Sequence, residues 1–424
     1  MPYSVTRRQR ASQVPRVRTI FSFQMPALPQ ESPTSAASTP ASGRLLSLDA
    51  FRGLTIVGMI LVNNPGDWGH LYRPLGHAEW FGWTPTDLVF PFFLFIVGTS
   101  LAYSLRKYRH GAEIDAAVYW RIVRRTIVLI LLGLGLGVSY RTFNYLFGDA
   151  ESINLANLRF PGVLQRIALV YFAASLIVLH LGLRAQIVLA AVLLLGYWAL
   201  VGWLPDPQNY QSNLSPDGNV VRIVDRAVLG ENHMYTYNAA TKSLREPTDP
   251  EGLLSTLPAI VTSLFGYWTG LLIQRRGTNE KTVLLLIVAG AAVFALGWIW
   301  GHWFPIGKKL WTSSFVMLTA GLAMVVLAGC LLKFDVWGWR WAARPWEIVG
   351  VNAIFVFVAS GLVAQLLGIV KVDGMSLHGW LYSKLFTSWI SEPRLASLAF
   401  ALATVAVWWL ILWAMSRRGW SVRV

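Results

Sequence analysis

Ten separate runs in this chain are each apolar enough, over about 20 residues, to cross a lipid bilayer as a helix. Nothing else in the sequence restricts its fold as strongly. In hydrocarbon every backbone N–H and C=O must be satisfied internally, so only helices and closed barrels span. A barrel would show short alternating segments, which are absent. The runs fall at about 46–64, 85–106, 121–140, 161–181, 185–204, 252–273, 282–302, 310–332, 346–369 and 395–415. The expected class is therefore all-α, a polytopic membrane protein of about ten transmembrane helices. Composition agrees: 13% of residues are charged, where a soluble protein carries roughly 25%. The single cysteine, Cys330, lies inside an apolar run and can build neither an intrachain disulfide nor a cysteine metal site. No histidine pair has metal-ligand spacing, so no metal is expected.

Residues 1–43 differ from the rest. They are rich in Arg and then in Pro, Ser and Ala, which predicts a disordered tail. No apolar core follows the arginines, so a cleaved signal peptide is not expected. Residues 44–424 form the membrane domain, with one long loop at 205–251. Lysine and arginine are nearly twice as frequent in the N-terminal tail and alternate loops as in the remaining loops. By the positive-inside rule both termini are cytoplasmic. The net charge of +15 is then an orientation signal with some attraction to anionic lipid, and no nucleic-acid partner is expected. The 64–84 and 205–251 loops fall on the outer side.

The first span, "RLLSLDAFRGLTIVGMILVNN", carries Asp49, Arg52 and Asn63. At 100° per residue Arg52 and Asn63 differ by about 20°, and Asp49 lies within about 60° of Arg52. One polar stripe thus runs up this helix for about 17 Å between Arg52 and Asn63. Charges in spans face the protein interior or a wet cavity. Two readings stay open: an Asp49–Arg52 structural pair, or residues that line a path or grip an anionic ligand. Beyond it, "GHAEWFGWTPTDLVFP" sets His77 on the outer side. A neutral imidazole there can take a proton from an attacking amine or alcohol, or accept an acyl group. It can equally be an interfacial residue in an aromatic belt with Trp80, Phe81 and Trp83.

"TPTD" has the form of a capping box, Thr84 as N-cap, Pro85 first, Asp87 three after the cap. The same carboxylate could orient His77. "TDPEG" repeats the pattern, with Asp249 as cap, Pro250 at the first helical position and Glu251 favoured by the helix dipole. In "RFPGVLQR" an arginine lies about 7 Å inside the fourth span, so Gln165 and Arg166 should point into a polar cavity. On the cytoplasmic side Arg121, Arg124 and Arg125, and in a later loop Lys333, Arg340 and Arg344, could hold nucleotide phosphates or serve only as positive-inside anchors.

The blocks "SLDAFRG", "LVN", "HAEWFGWTPTDLVFPFFLFIVG", "RFPGVLQRIALVYF", "VDRAVLGENHMY", "DPEGLLSTLPAIV", "KKLWTSSFVMLTAG" and "VNAIFVFV" occur in this order. Together they resemble the heparan-α-glucosaminide N-acetyltransferase family over nearly all of residues 44–424. The resemblance implies transfer of acetyl from cytosolic acetyl-CoA to the amino group of a terminal glucosamine across the membrane. It makes His77 and Asn63 the catalytic residues. Asp87, Asp49, Arg52 and Gln165 are candidate supporting or substrate-binding residues, as are Arg166, Glu251, His233 and Asn352. Arg124, Arg125 and Arg344 are candidate CoA phosphate ligands. The segment between Asn63 and His77 departs from the family in length and contains Pro65 and His70. A bacterial inner membrane is the expected location, with an amino sugar, the bilayer and a second copy as candidate partners. Two rival functions remain: an amino-sugar transporter, and an acyltransferase with another acceptor.

Overall fold

In the computed structural model the described residues are 45–109, 113–204, 213–235 and 248–422, together with the backbone of 237–238 and 243–244. The N-terminal tail and parts of the 205–251 loop lie outside them. Nine helices among the described residues are long and apolar enough to cross a bilayer, and a tenth crossing is a pair bent by 64°. Among the described residues the strands are two pairs of two residues each.

The spans in chain order are α1 (Leu46–Asn63), α2 (Val89–Ser104), α3 (Ala116–Phe147), α4 (Val163–His180) and α5 (Leu183–Trp203). After the short amphipathic α6 (Val220–Leu229) come α7 (Thr256–Arg276), α8 (Glu280–Trp300) and α9 (Ser313–Cys330). The bent pair is α10 (Arg340–Val351) with α11 (Ala353–Ile369). A short α12 (Leu377–Tyr382) precedes the last span, α13 (Pro393–Arg417). Leu45 and Val422 line neighbouring cavities, so both described ends of the chain lie on one face, called here the terminal face. His77 lies on the other. Exposed Trp120, Trp337, Trp339 and Trp341 ring the terminal face, and Trp203, Trp298 and Trp303 ring the other. Such belts mark the two membrane–water interfaces. Between them Val188, Val192, Leu195, Leu284 and Val288 stand exposed, as a lipid-facing surface requires.

Three spans differ from their sequence expectation. The third runs over 32 residues, Ala116–Phe147, well beyond 121–140. At 1.5 Å per residue it is about 48 Å long, so its ends leave the hydrocarbon. Asp115 caps its start by accepting the Val118 N–H at 3.1 Å, and Arg141 holds the last turns to the following loop through the Asn154 carbonyl at 2.9 Å. The sixth span starts at Thr256, so Asp249 is not its N-cap. Asp249 instead caps the turn before the helix by accepting the Glu251 N–H at 2.9 Å, and Asp225, reaching over from α6, accepts the N–H groups of Leu253 and Leu254 at 2.9 and 3.2 Å in the lead-in to Thr256. The ninth span breaks at Asn352. There α10 crosses α1 so closely that a β-carbon on Gly350 would sit 2.2 Å from the Asp49 carbonyl, and one on Gly53 1.8 Å from that of Trp346. Glycine at both positions permits this approach.

The polar α1 is enclosed. It packs against α2, α9, α10, α11 and α13, with Phe51, Ile56 and Ile60 fully buried. Its stripe of Asp49, Arg52 and Asn63 therefore faces space inside the bundle.

Candidate active site

The site begins with one turn of 3₁₀ helix, Pro85–Leu88, at the head of α2. Its capping box is formed as the spacing predicts, with Thr84 and Asp87 satisfying each other's backbone. Oδ2 of Asp87 accepts from the backbone N–H of Ala78 and of Thr84, each at 3.1 Å, and from the Thr84 hydroxyl at 3.2 Å. That leaves Oδ1 for His77, whose Nδ1 lies 2.7 Å away. Asp87 thus caps the turn with one oxygen and bonds His77 with the other. An ionised carboxylate only accepts, so Nδ1 carries the proton and Nε2 presents its lone pair. Asp87 is 1% exposed while the His77 side chain is 49% exposed, so a buried anchor holds a reachable ring.

A third group completes the cluster. Lys308, in the loop between α8 and α9, places Nζ 3.1 Å from Nδ1 of His77 and 3.3 Å from Oδ1 of Asp87. Burial pushes the Lys308 ammonium below the usual lysine range, against the pull of Asp87 and Glu251. Lys308 was not among the sequence candidates. Its only signal there was its place in the block "KKLWTSSFVMLTAG".

His77, Lys308, Asn63 and Glu251 line one cavity of about 160 Å³, with apolar walls from Met59, Phe90 and Phe357 among others. The Asn63 amide makes no hydrogen bond among the described residues, so its donors are open to a ligand carbonyl. Glu251 is held from behind: Arg159 bonds Oε2 of Glu251 and Oδ1 of Asp249, each at 2.5 Å. Burial pushes the Glu251 carboxyl up, but Arg159 and Arg166 outweigh it and hold it low; the same two carboxylates hold the buried Arg159 guanidinium above its usual range.

Two larger cavities continue from this one. The first, about 730 Å³, shares Phe93, Ile167 and Ile354 with the His77 cavity and is lined by Asp49, Arg52, Ser100 and Arg125. The second, about 1330 Å³, shares Leu45, Tyr103 and Val351 with the first and opens on the terminal face. It is lined by Arg106, Arg340, Arg344 and Asn352 as well as Trp341 and Trp420. The three cavities lie in series from the terminal face to His77. On the α1 stripe Arg52 bonds Asp49 at 3.0 Å and Ser100 at 2.9 Å, and Asp49 and Arg52 both line the middle cavity.

The remaining candidates have other places. Arg125 stacks over Tyr171 at 4.7 Å and lines the middle cavity; Arg344 lines the terminal one; Arg124 is exposed on α3 and lines none of these three. Arg166 is buried beneath the His77 cavity, where it bonds the Gly252 carbonyl at 2.8 Å and the Ser255 hydroxyl and stacks on Trp311. Gln165 sits beside it against Gly133 and Gly162, where a β-carbon would collide with its amide. His233 stacks on Phe160 with rings 4.0 Å apart and bonds the Leu158 carbonyl at 2.8 Å, so it fastens a loop and does not reach His77. Asn352 accepts the Val422 N–H at 2.9 Å on the far side of the membrane from His77.

Asp225 carries a pH dependence of its own. Burial pushes its carboxyl up to about 6, and Oδ2 has no partner. The folded chain thus prefers the protonated form. The stability this contributes is present below the ordinary value near 4 and is lost as pH rises through about 6. Its size is at most of the order of 3 kcal/mol. Thermal unfolding in detergent from pH 4.5 to 7.5 should show the wild type losing stability relative to Asp225→Asn. Parallel curves would reject the assignment.

The fold is that of a multi-pass α-helical membrane protein with a His–Asp–Lys cluster beside the end cavity of a row of three neighbouring cavities. Residues 44–225 match the family model described as "Heparan-alpha-glucosaminide N-acetyltransferase, catalytic". The chain is 29% identical over 365 residues to the mouse heparan-alpha-glucosaminide N-acetyltransferase, covering 75% of this chain and 53% of that protein. With the human protein the identity is 27% over 362 residues, 74% of this chain and 52% of the relative. The chain is thus similar to the catalytic region of the heparan-α-glucosaminide N-acetyltransferases, most directly over residues 44–225. It spans about half the length of the curated relatives it matches.

Proposed function

We propose that this protein is a transmembrane N-acetyltransferase of a bacterial inner membrane. It takes acetyl from acetyl-CoA on the cytoplasmic side and delivers it to the amino group of glucosamine or a related amino sugar on the other. The observation that carries this reading is the series of three cavities joining the terminal face to His77. The lysine and arginine bias supports a cytoplasmic terminal face. The wide basic cavity with Arg344, Arg340 and Arg106 suits a nucleotide's phosphates, which arginine binds in bidentate fashion. The middle cavity leads a narrow acyl-bearing arm past Arg52 and Arg125 toward Asn63.

At the His77 end the chemistry divides among named groups. Nε2 of His77 accepts a proton from the attacking amine or takes the acyl group itself. Asn63 donates to the thioester oxygen as negative charge develops there. Glu251 offers its other oxygen to the acceptor. The rival transporter reading uses the same path, and one experiment separates them. Purified protein in liposomes, with labelled acetyl-CoA outside and glucosamine inside, should form labelled N-acetylglucosamine in the lumen while acetyl-CoA stays out. Glucosamine that leaves the vesicles unacetylated would overturn the enzyme reading in favour of transport.

A further inference from the structure

We propose that Lys308 is a catalytic residue: the general acid that gives a proton to the departing thiolate of the donor. The proposal rests on the acetyltransferase reading above. Acetyl transfer from a thioester breaks a C–S bond, and sulfur leaves with the electron pair. The attacking amine becomes an amide and sheds a proton. In water the two needs are met by solvent; in this cavity of about 160 Å³, walled largely by apolar side chains, ionisable side chains stand within reach to meet them. His77 can receive the amine's proton, but it then holds a proton at the nucleophile's end. Asn63 is a neutral amide and has none to give. Asp87 is an acceptor wholly occupied by His77, Lys308 and the backbone. Glu251 is held low by Arg159 and carries none at neutral pH. Lys308 is the one ammonium lining this cavity.

Its position fits a relay. The 3.1 Å contact from Nζ to Nδ1 of His77 is short enough for direct proton transfer. The two donors cannot both point their protons along this contact, so it carries a proton only after one has lost its own. The steps balance. The amine forms its bond to the carbonyl carbon and passes a proton to Nε2 of His77. The C–S bond breaks, and Lys308 protonates the sulfur to give the free thiol. Neutral Lys308 recovers a proton from Nδ1 of the imidazolium, and the half-exposed His77 ring re-equilibrates its remaining proton with solvent. The net result is that the amine's proton ends on sulfur. The same acid serves if His77 itself is acylated first, because the same C–S bond breaks. Burial of Lys308, which makes its ammonium a stronger acid than an exposed lysine, suits this role.

The test varies the leaving group. Lys308→Met and Lys308→Arg are assayed with acetyl-CoA and with S-(4-nitrophenyl) thioacetate, whose thiolate departs without help from an acid. Arginine keeps the positive charge beside Asp87 but scarcely releases a proton. With acetyl-CoA both variants should lose about 10²–10⁴-fold in kcat. With the aryl thioester both should fall by less than about tenfold, whereas His77→Ala should not be rescued by either donor. Equal losses with both donors would overturn the proposal and leave Lys308 a structural partner of Asp87. A rise in acceptor KM with kcat unchanged would also overturn it, making Lys308 an acceptor contact. Both results leave the enzyme reading intact. A wild type that transfers acetyl from neither donor would instead remove that reading, and this proposal with it.

Discussion

His77→Ala will abolish transfer while leaving the protein folded. General acid–base catalysis contributes about 10²–10⁴ in rate, and removing the imidazole removes the group placed to take the amine's proton or the acyl group. The expected loss in kcat with acetyl-CoA and glucosamine is therefore at least about 10²-fold. Folding should survive because His77 is half exposed and, among the described residues, its ring hydrogen-bonds only with Asp87 and Lys308, which keep each other as partners without it. Without the ring, Asp87 keeps Lys308, Ala78 and Thr84 as partners. The comparison is product formation by purified variant and wild type with matched thermal unfolding midpoints. A variant that retains the wild-type rate would show that His77 is only an interfacial residue.

The second large effect belongs to Asp87, and it separates into two parts. Asp87→Ala removes the acceptor for two backbone N–H groups, a hydroxyl, an imidazole and an ammonium at once. Stripping one partner from a buried charge pair costs about 3–5 kcal/mol. This variant should unfold at a markedly lower temperature and lack activity. Asp87→Asn keeps an oxygen for the backbone cap but loses the charge that fixes His77's proton on Nδ1. It should remain folded and fall by about 10–10²-fold in kcat, the usual scale for a group that orients a functional histidine. If Asp87→Ala unfolds at the wild-type temperature, the capping box and its ion pair are not what hold this turn.

Much of this site was open to inspection of the chain. The stripe of Asp49, Arg52 and Asn63 follows from helical periodicity alone, and the cavities it lines bear it out. The Thr84–Asp87 turn follows from a four-residue pattern, and His77 lies only ten residues before its partner. Similar reasoning went only part way at Asp249, which caps the 250–252 turn while the helix itself starts later at Thr256, with Asp225 from another helix holding the Leu253 and Leu254 N–H groups between. Pattern rules describe the partners available nearby, and a longer-range partner can act beside them.

The amino-acid order by itself determined the helical class, the count of crossings and the His77–Asp87 neighbourhood. Each of these depends on hydropathy, charge or capping within some twenty consecutive residues. Only the tertiary structure brought Lys308 to His77 across 231 residues. It also broke the ninth span at Asn352 and separated Arg125 and Arg344, which line the path, from Arg124, which does not. Those outcomes are decided by which helix faces pack together. At Gly53 and Gly350 two backbones touch, and that contact sets where the remaining side chains can meet.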